Sequence, residues 1–425
     1  MRPLGRMWMR KFSLALFLGA AMALMGCGSS DSSSEGSGGT AGSGGAPGGG
    51  GAGGAIEPSF QELYDQGLTR YVDEFDPIEP VQKQDGMTTY TFEVPSDPLA
   101  EPRGPLCLRG AGFNLQTREG TSDELVIFLQ GGGACWDTFC EANTEAGAMP
   151  APGSNAGILD PLFPNNPVAD WDVAYLPYCD GSLFAGDVDR ILPQSIFDGG
   201  EPSQGYQRGL QNLTAALDVT VEVFPSPTRI LLTGVSAGAF GTLTALPLVR
   251  FYYPDTEIVL FNDSGVGVGN GDDPSFINET LIDGWNARGI VPESCPECTS
   301  NGHATRLIEW QLSADDNFTM SALSYSEDGV VADFFFGVDG EVFREQLLEE
   351  TTRTAEAFPE TYKRFIPVGR EHTALLAETS SMVGLFAIGG LDETLDGSSV
   401  LDFLTAQLDG SETWRDLVDE SLLTP

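Results

Sequence analysis

The segment with the clearest chemical character surrounds Ser236 in the sequence GVSAG, residues 234–238. An apolar run, Arg229–Leu232, precedes it, and an apolar helical pattern follows directly. A serine between a strand and a helix, with small residues on both sides, is typical of a nucleophile elbow, a sharp turn that pushes the hydroxyl outward. The pattern predicts that Ser236 is a nucleophile, and the alternative is a serine that only caps a helix.

A serine hydroxyl needs a base to take its proton, and the chain has two histidines, His303 and His372. His372 follows the strand-like run Phe365–Val368 and lies after the serine, in the chain order that this type of elbow uses. His303 lies in the sequence SCPECTSNGH, which is typical of a surface loop. We therefore predict that His372 is the base and that His303 is structural or solvent-exposed.

The third member of such a triad is a carboxylate, which holds the imidazole in the correct tautomer. It should follow a strand that lies between the nucleophile and the base in the chain. The apolar run Leu307–Leu312 reads as that strand and leads into Asp315 and Asp316. Asp316 is the predicted acid, Asp315 is the second choice, and Asp263, at the end of the preceding strand, is a less favoured substitute.

A Gly-rich turn offers a site for the negative oxygen of a tetrahedral intermediate. The run Leu125–Leu129 is followed by QGGGACW, residues 130–136. Without Cβ atoms, the backbone of such a turn can bring free N–H groups close to a reaction centre. We predict that the amides of Gly132, Gly133 and Ala237 form an oxyanion hole, and the alternative is an ordinary tight turn.

These residues lie among alternating strand and helix patterns that begin near residue 57. Strands are predicted at Leu125–Leu129, Val173–Tyr175, Arg229–Leu232, Ile258–Phe261, Leu307–Leu312 and Phe365–Val368, and helices at Gln204–Val221, Ala237–Phe251, Ser275–Trp285, Val342–Phe358 and Ser398–Leu408. This alternation predicts an α/β fold, with a mostly parallel sheet like that of the α/β-hydrolases and helices on both faces. Residues 57–425 are predicted to form one domain, since no interdomain linker is visible.

The N-terminal segment has the pattern of an export signal. Four basic residues precede an apolar run, Phe12–Leu24, which is short for a membrane span and ends in LMGC. The sequence resembles a bacterial lipobox, so residues 1–26 are predicted to be a signal peptide and Cys27 to be lipidated. A plain secretory signal cleaved nearby is the alternative. Residues 27–56, rich in Gly and Ser, are predicted to be a flexible tether, because they lack apolar side chains to offset the cost of ordering.

The other six cysteines form an even set in an oxidising compartment, which favours three disulfides over free thiols. These six residues are Cys107, Cys135, Cys140, Cys179, Cys295 and Cys298. Short spacing favours Cys135–Cys140 and Cys295–Cys298, which leaves Cys107 with Cys179, although the sequence alone allows other connectivities. A zinc site built from the last two cysteines and His303 is the alternative, but no fourth ligand is evident.

Composition excludes several classes of partner. The chain has 425 residues with 62 acidic and 21 basic side chains, a formal net charge of −41. Such a charge repels nucleic acid phosphates and anionic lipid surfaces, so neither is expected as a partner beyond a lipid anchor. No cofactor or metal is expected, and the protein is expected to be a monomer, exported and anchored at an outer membrane or cell surface, or periplasmic.

The motifs together resemble one known family. The set is QGGGACW with a following Cys, LPYCDGSLFAG, GVSAGAFGT, NDSG, LSADDNF and EHT. It is similar to the pectin acetylesterase family, which includes the carboxylesterase Notum, from about Cys107 to His372. The resemblance implies an α/β-hydrolase that cleaves oxygen esters with a Ser–Asp–His triad and no metal. It places Ser236, Asp316 and His372 in the triad and Gly132, Gly133 and Ala237 in the oxyanion hole.

Three positions depart from the family's usual pattern: Gln130 replaces a common Glu, Ala134 replaces a Trp, and Ala239 replaces a Gly. None removes a catalytic group, but the aromatic change can reshape the acyl pocket. The sequence thus predicts an exported serine esterase for O-acyl groups, with acetyl on a polysaccharide as the first choice and a lipid-like acyl ester as the second. The alternatives are a non-catalytic surface protein that binds a glycan or a partner, and an O-acyltransferase.

Overall fold

The computed structural model describes residues 59–82, 86–100, 103–146, 157–196, 199–383 and 386–423. The predicted signal peptide, the tether and Cys27 lie outside these residues. The strands, in chain order, are β1 Val81–Gln82, β2 Thr88–Thr91, β3 Asn114–Arg118, β4 Leu125–Leu129, β5 Gly133–Trp136, β6 Phe139–Ala142, β7 Asp172–Leu176, β8 Val188–Leu192, β9 Ser203–Gln207, β10 Arg229–Val235, β11 Glu257–Asp263, β12 Phe318–Leu323, β13 Tyr362–Ile366, β14 Ser381–Val383, β15 Phe386–Ile388, β16 Thr394–Leu395, β17 Ser398–Ser399 and β18 Leu417–Val418.

The helices complete the described structure. The α-helices are α1 Gln61–Asp65, α2 Gly209–Val223, α3 Ala237–Tyr252, α4 Thr305–Ala314, α5 Gly340–Ala357 and α6 Val400–Leu408. Two π-helical segments span Phe276–Asp283 and Gly329–Phe336, and four short 3₁₀ turns span Gly157–Leu159, Arg288–Ile290, Pro296–Thr299 and Glu420–Leu422. Within the described ranges, no helix is long and apolar enough to cross a bilayer.

Ten strands form one sheet in the order β1-β2-β3-β7-β4-β10-β11-β12-β13-β18. From β7 to β18 every neighbouring pair is parallel, and the edge formed by β1, β2 and β3 is antiparallel. The predicted mostly parallel α/β sheet is confirmed. In such a sheet, binding and catalytic residues collect beyond the carboxyl ends of the strands.

The sheet is buried on both faces, as a parallel sheet requires. In β4, Leu125, Ile127 and Leu129 pack into one hydrophobic cluster, and Val126 and Phe128 pack into the cluster on the opposite face. Helices α2 to α5 contribute to the first cluster, and α6 contributes to the second. The central strands therefore read as continuous apolar runs, because every side chain along them is buried.

One predicted strand is wrong. The run Leu307–Leu312 lies inside helix α4, and the strand of this region is β12, Phe318–Leu323. The buried residues of α4 include Leu307, Ile308, Gln311 and Leu312 at helical spacing, which a short apolar run does not distinguish from a strand. The predicted helix Gln204–Val221 also contains a strand at its start, since β9 covers Ser203–Gln207.

The six cysteines form three disulfides, Cys107–Cys179, Cys135–Cys140 and Cys295–Cys298. The pairing predicted from short spacing is confirmed, and the bridge at Cys295–Cys298 leaves no thiolate there for zinc. Disulfides persist in oxidising compartments, so the described domain belongs outside the cytoplasm.

Candidate active site

Ser236 occupies the turn between β10 and α3. Its backbone has φ 56° and ψ −123°, a conformation that is costly for a residue with a side chain. The flanking glycines make this turn possible: a Cβ on Gly238 would lie 2.0 Å from the carbonyl oxygen of Leu129, and one on Gly234 would lie 2.6 Å from the backbone of Gly238. The predicted elbow geometry is present, and the Ser236 side chain is half-buried at the carboxyl edge of the sheet.

The Gly-rich turn after β4 adjoins this elbow. A Cβ on Gly131 would lie 2.6 Å from the carbonyl oxygen of Val235 and 3.0 Å from the Cβ of Ser236, so only glycine allows this approach. Gly133 has φ +85°, and a Cβ there would lie 1.9 Å from the carbonyl oxygen of Glu141. The glycines thus hold the turn close to the serine.

His372 lies in the loop after β13 and is buried, with 6% of its surface exposed. Its Nδ1 lies 2.8 Å from Oδ2 of Asp328, whose side chain is fully buried. The Nε2 atom is also buried and has no hydrogen-bond partner in the described structure. A carboxylate on Nδ1 favours the tautomer in which that nitrogen carries the proton, which leaves Nε2 free to accept one.

Asp328 is held in place by its own backbone contacts. Its Oδ1 accepts hydrogen bonds of 2.9 Å from the amides of Val330 and Val331, at the start of the segment Gly329–Phe336. One carboxylate oxygen is therefore used to cap this helical segment, and the other is directed at the imidazole. The geometry leaves the Asp328 side chain little freedom to turn away.

The carboxylate that the structure places beside His372 is Asp328, not the predicted Asp316. Asp316 is exposed and precedes β12, so it lies at the amino edge of the sheet, away from His372. Asp315 is buried in an ion pair, with Oδ2 2.7 Å from Nε of Arg250. The acid was expected to follow a strand, and Asp328 does follow one, β12. The run in α4 had been mistaken for that strand.

Asp263, the third candidate, supports the histidine loop without contacting the imidazole nitrogens. Its Oδ2 accepts hydrogen bonds of 2.8 Å from the amides of Ala374 and Leu375. The neighbouring Ser264 hydroxyl accepts one of 3.0 Å from the amide of Thr373. Burial raises the pKa of Asp263 to about 6, although these amides and the nearby His372 favour its charged form.

His303 is structural but not at the surface. It is 5% exposed, and its Nδ1 accepts a hydrogen bond of 3.0 Å from the amide of Gly269. Burial lowers its pKa, which favours the neutral ring. The prediction that His303 is not the base fits this placement, whereas the prediction that its loop is a surface loop is wrong for this side chain.

Ser236 lies between two cavities. The open one, which we call the mouth, is lined by Gly132, Gly133, Glu141, Ala142, Asn143, Ser236, Val330, Phe334, Phe335, His372, Phe386 and Ile388. The mouth thus brings the serine, the histidine and two of the predicted oxyanion glycines to one place. No group of acidic, Cys and His side chains in the described part of the chain is arranged to hold a metal ion.

The second cavity, which we call the apolar pocket, extends inward from the serine. Its walls include Trp136, Leu243, Phe276, Leu281, Ile290 and Phe336, together with Ser236 and Ala237. Its volume is about 90 Å³, which is room for several water molecules and for much more than a methyl group. Sequence reasoning missed this pocket because its walls come from segments far apart in the chain.

The comparison with known proteins follows these observations. The family model described as Pectinacetylesterase matches residues 92–317. The chain belongs to the pectin acetylesterase family. Two similar relatives are pectin acetylesterases 7 and 11 of Arabidopsis thaliana. The first is 26% identical over 174 residues, covering 38% of this chain and 42% of the relative. The second is 24% identical over 178 residues, covering 39% and 44%.

The chain therefore matches less than half the length of these two relatives. The family match includes the elbow and the Gly-rich turn and ends before Asp328 and His372.

Proposed function

We propose that this protein is an exported serine carboxylesterase that removes O-acyl groups, acetyl first among them, from a polysaccharide. The observation that carries the proposal is the buried contact between Nδ1 of His372 and Asp328 in a mouth shared with Ser236. An imidazole paired in this way, with Nε2 facing no protein partner, is arranged to take a proton from a substrate or a nucleophile. Family membership supports an ester as the substrate.

In the proposed reaction, the Ser236 oxygen attacks the ester carbonyl while His372 Nε2 takes the hydroxyl proton. Asp328 holds the imidazole and stabilises the imidazolium that forms. The proton then passes to the leaving alcohol, which departs as the acyl-serine forms. Water attacks the acyl-serine with His372 again as the base. The carboxylic acid is released, and the proton on His372 returns to the oxygen of Ser236.

The negative oxygen of each tetrahedral intermediate needs hydrogen-bond donors close by. We propose the backbone amides of Gly132, Gly133 and Ala237 for this role. The closeness of the Gly-rich turn to the elbow supports it, and Ala237 begins helix α3, where partial positive charge favours an oxyanion.

The test is hydrolysis of p-nitrophenyl acetate by the purified protein. The Ser236→Ala variant should lose at least about 10³-fold in kcat/KM. Ser313→Ala, at an exposed serine in the last turn of α4 near the amino edge of the sheet, should keep full activity. Thermal denaturation checks that both variants are folded. A wild-type protein without activity, or a Ser236→Ala variant that retains it, would refute the esterase.

A second candidate substrate is an ester with a longer acyl chain. The apolar pocket favours it, because burying each CH₂ group there contributes about 0.8 kcal/mol. If the pocket accepts the acyl chain, kcat/KM should rise from p-nitrophenyl acetate to butyrate and hexanoate. Leu243→Trp should fill the pocket and abolish that rise while leaving the acetate ester a substrate. If kcat/KM of the wild type instead falls steadily as the acyl chain lengthens, the pocket does not hold the acyl group.

The site of action is also part of the proposal. The export pattern and LMGC motif support a lipid anchor on Cys27 after removal of residues 1–26, with residues 27–56 as a tether to the domain from residue 57. The protein would then act as a monomer at an outer membrane, cell surface or periplasm. Metabolic labelling with a radioactive fatty acid should label the wild type, and Cys27→Ala should lose the label if the cysteine is the acceptor.

A further inference from the structure

We infer that the alcohol part of the natural ester is uncharged where it meets the mouth: a neutral polyol or neutral glycan, not a polyuronate. This inference rests on the proposed esterase function and concerns which polysaccharide the site accepts. The observations that carry it are the charges around the mouth, described in turn below.

The first observation is the charge of the mouth itself. Among the described residues that line it, Glu141 carries a fixed charge and none is Lys or Arg. The Glu141 carboxylate is held at the rim by the Ser195 hydroxyl, at 2.8 Å, and by the amide of Ile196. The undescribed segments nearest in sequence, 147–156 and 384–385, also contain no Lys or Arg. A uronate carboxylate at the mouth would therefore meet a like charge.

The second observation is that the cations near the mouth already have partners. Arg109, whose Nη2 lies 3.6 Å from Sγ of Cys140, donates hydrogen bonds to backbone carbonyl oxygens. Arg370, two residues from His372, pairs with Asp333 and lies 3.9 Å from Glu327. Arg344 also pairs with Glu327. These two guanidinium groups share the Glu327 carboxylate, so a uronate would have to displace an existing ion pair to gain one.

Most arginines in the described residues are likewise in ion pairs with carboxylates. Those in ion pairs are Arg70, Arg103, Arg208, Arg229, Arg250, Arg288, Arg344, Arg353, Arg364, Arg370 and Arg415. Lys363 lies near the amino end of β13, at the edge of the sheet opposite the mouth. With a net charge of −41, the protein's long-range field also repels a polyanion.

The third observation is the apolar character of the mouth walls. Phe334 and Phe386 form an edge contact with centroids 5.4 Å apart, and Phe334 and Phe335 form another at 5.1 Å. All three rings line the mouth. Such walls suit the C–H faces of an uncharged sugar ring, and burying a carboxylate against them without a partner is costly.

The test uses one polymer in two charge states: acetylated polygalacturonan, and the same acetylated polymer with its carboxyl groups methyl-esterified. Acetate release is measured between about 0.01 M and about 1 M NaCl, over which the Debye length falls from about 30 Å to about 3 Å. At low salt, kcat/KM should be about 10-fold higher for the methyl-esterified polymer, and the ratio should approach one at high salt.

Glu141→Gln should reduce the low-salt ratio by about threefold, because it removes one charge from the mouth. The matched control is Glu412→Gln, which removes one exposed charge shortly before β18, at the opposite edge of the sheet. That variant should leave the ratio unchanged. Its result separates a local effect of the mouth from the effect of net charge.

Equal rates on the two polymers at low salt, or faster release from the charged one, would overturn the inference. So would a Glu412→Gln effect as large as that of Glu141→Gln, since the mouth would then have no special part. Hydrolysis of p-nitrophenyl acetate, measured in parallel, tests the esterase separately. If that activity is absent, the proposed function fails and this inference falls with it.

Discussion

Replacing Asp328 with Asn tests the corrected site most directly, because the structure predicts which way the new amide must face. The Asp328 Oδ1 atom accepts two hydrogen bonds of 2.9 Å from Val330 and Val331. An Asn there must keep its oxygen on these amides, because its NH₂ group cannot accept them. The NH₂ group then faces Nδ1 of His372, where Oδ2 lies now.

This arrangement would hold His372 in the wrong tautomer. With an N–H donor facing Nδ1, the ring proton must sit on Nε2, and that nitrogen could no longer accept the serine proton. In a serine protease triad, the equivalent change lowers kcat by about 10⁴-fold, which corresponds to about 5.5 kcal/mol at 1.36 kcal/mol per tenfold. Because Asp328 is fully buried, no solvent would restore the correct tautomer. We expect a loss of at least about 10³-fold in kcat/KM.

The assay is p-nitrophenyl acetate hydrolysis, with the free energy of unfolding measured by urea titration. Asp328→Asn should unfold at nearly the same urea concentration as the wild type, because the two capping hydrogen bonds remain. Asp316→Asn is the matched control and should stay within about twofold of the wild type, since Asp316 is exposed at the other edge of the sheet. The reasoning fails if Asp328→Asn keeps a tenth or more of the activity, or if Asp316→Asn loses it.

Two further changes test the surroundings of the site. Asp263→Asn should remove a pH dependence of stability: burial raises the folded pKa of Asp263 to about 6, above the unfolded value of 3.8. The folded state then binds more protons between these values, so wild-type stability falls relative to Asp263→Asn, by about 2 kcal/mol from pH 4 to pH 6. Urea titrations of both proteins at the two pH values measure this change. If the free energies of unfolding of the wild type and Asp263→Asn differ by the same amount at pH 4 and pH 6, the prediction is wrong. Gly133→Ala should lower the free energy of unfolding by more than about 2 kcal/mol, because its Cβ would lie 1.9 Å from the Glu141 carbonyl oxygen. Gly337→Ala, with a similar φ of +64° and open space around it, should cost only the strain of about 1 kcal/mol; equal losses would show that the contact does not matter.

Much of the fold could be read from local patterns. The central strands β4, β10 and β11 are continuous apolar runs, because a parallel strand is buried on both faces. The elbow at Ser236 could be read because its glycines lie next to it in the chain, although the contact that requires Gly238 is with Leu129 of β4. The two short disulfides could be paired because few residues separate their cysteines, and the third pair followed by elimination.

The acid could not be read in the same way. Leu307–Leu312 is apolar enough for a strand, but it packs one side of helix α4 against the core. That error moved the expected carboxyl end of the strand from Leu323 to Leu312, and Asp316 was chosen instead of Asp328. In a chain with 62 acidic residues, nothing in the local sequence distinguishes the carboxylate that meets the imidazole.

The sequence by itself therefore determined the chemistry that is available: a serine in a forced turn, two histidines, a Gly-rich turn and six cysteines that pair. Most of these features depend on neighbours in the chain, and Cys107–Cys179, 72 positions apart, is the exception. Only the tertiary structure decided which carboxylate reaches His372, that Asp263 holds the loop after it, and that an apolar pocket opens beside Ser236. Those contacts join residues tens to more than a hundred positions apart, and the folding of the strands and helices around the sheet is what brings them together.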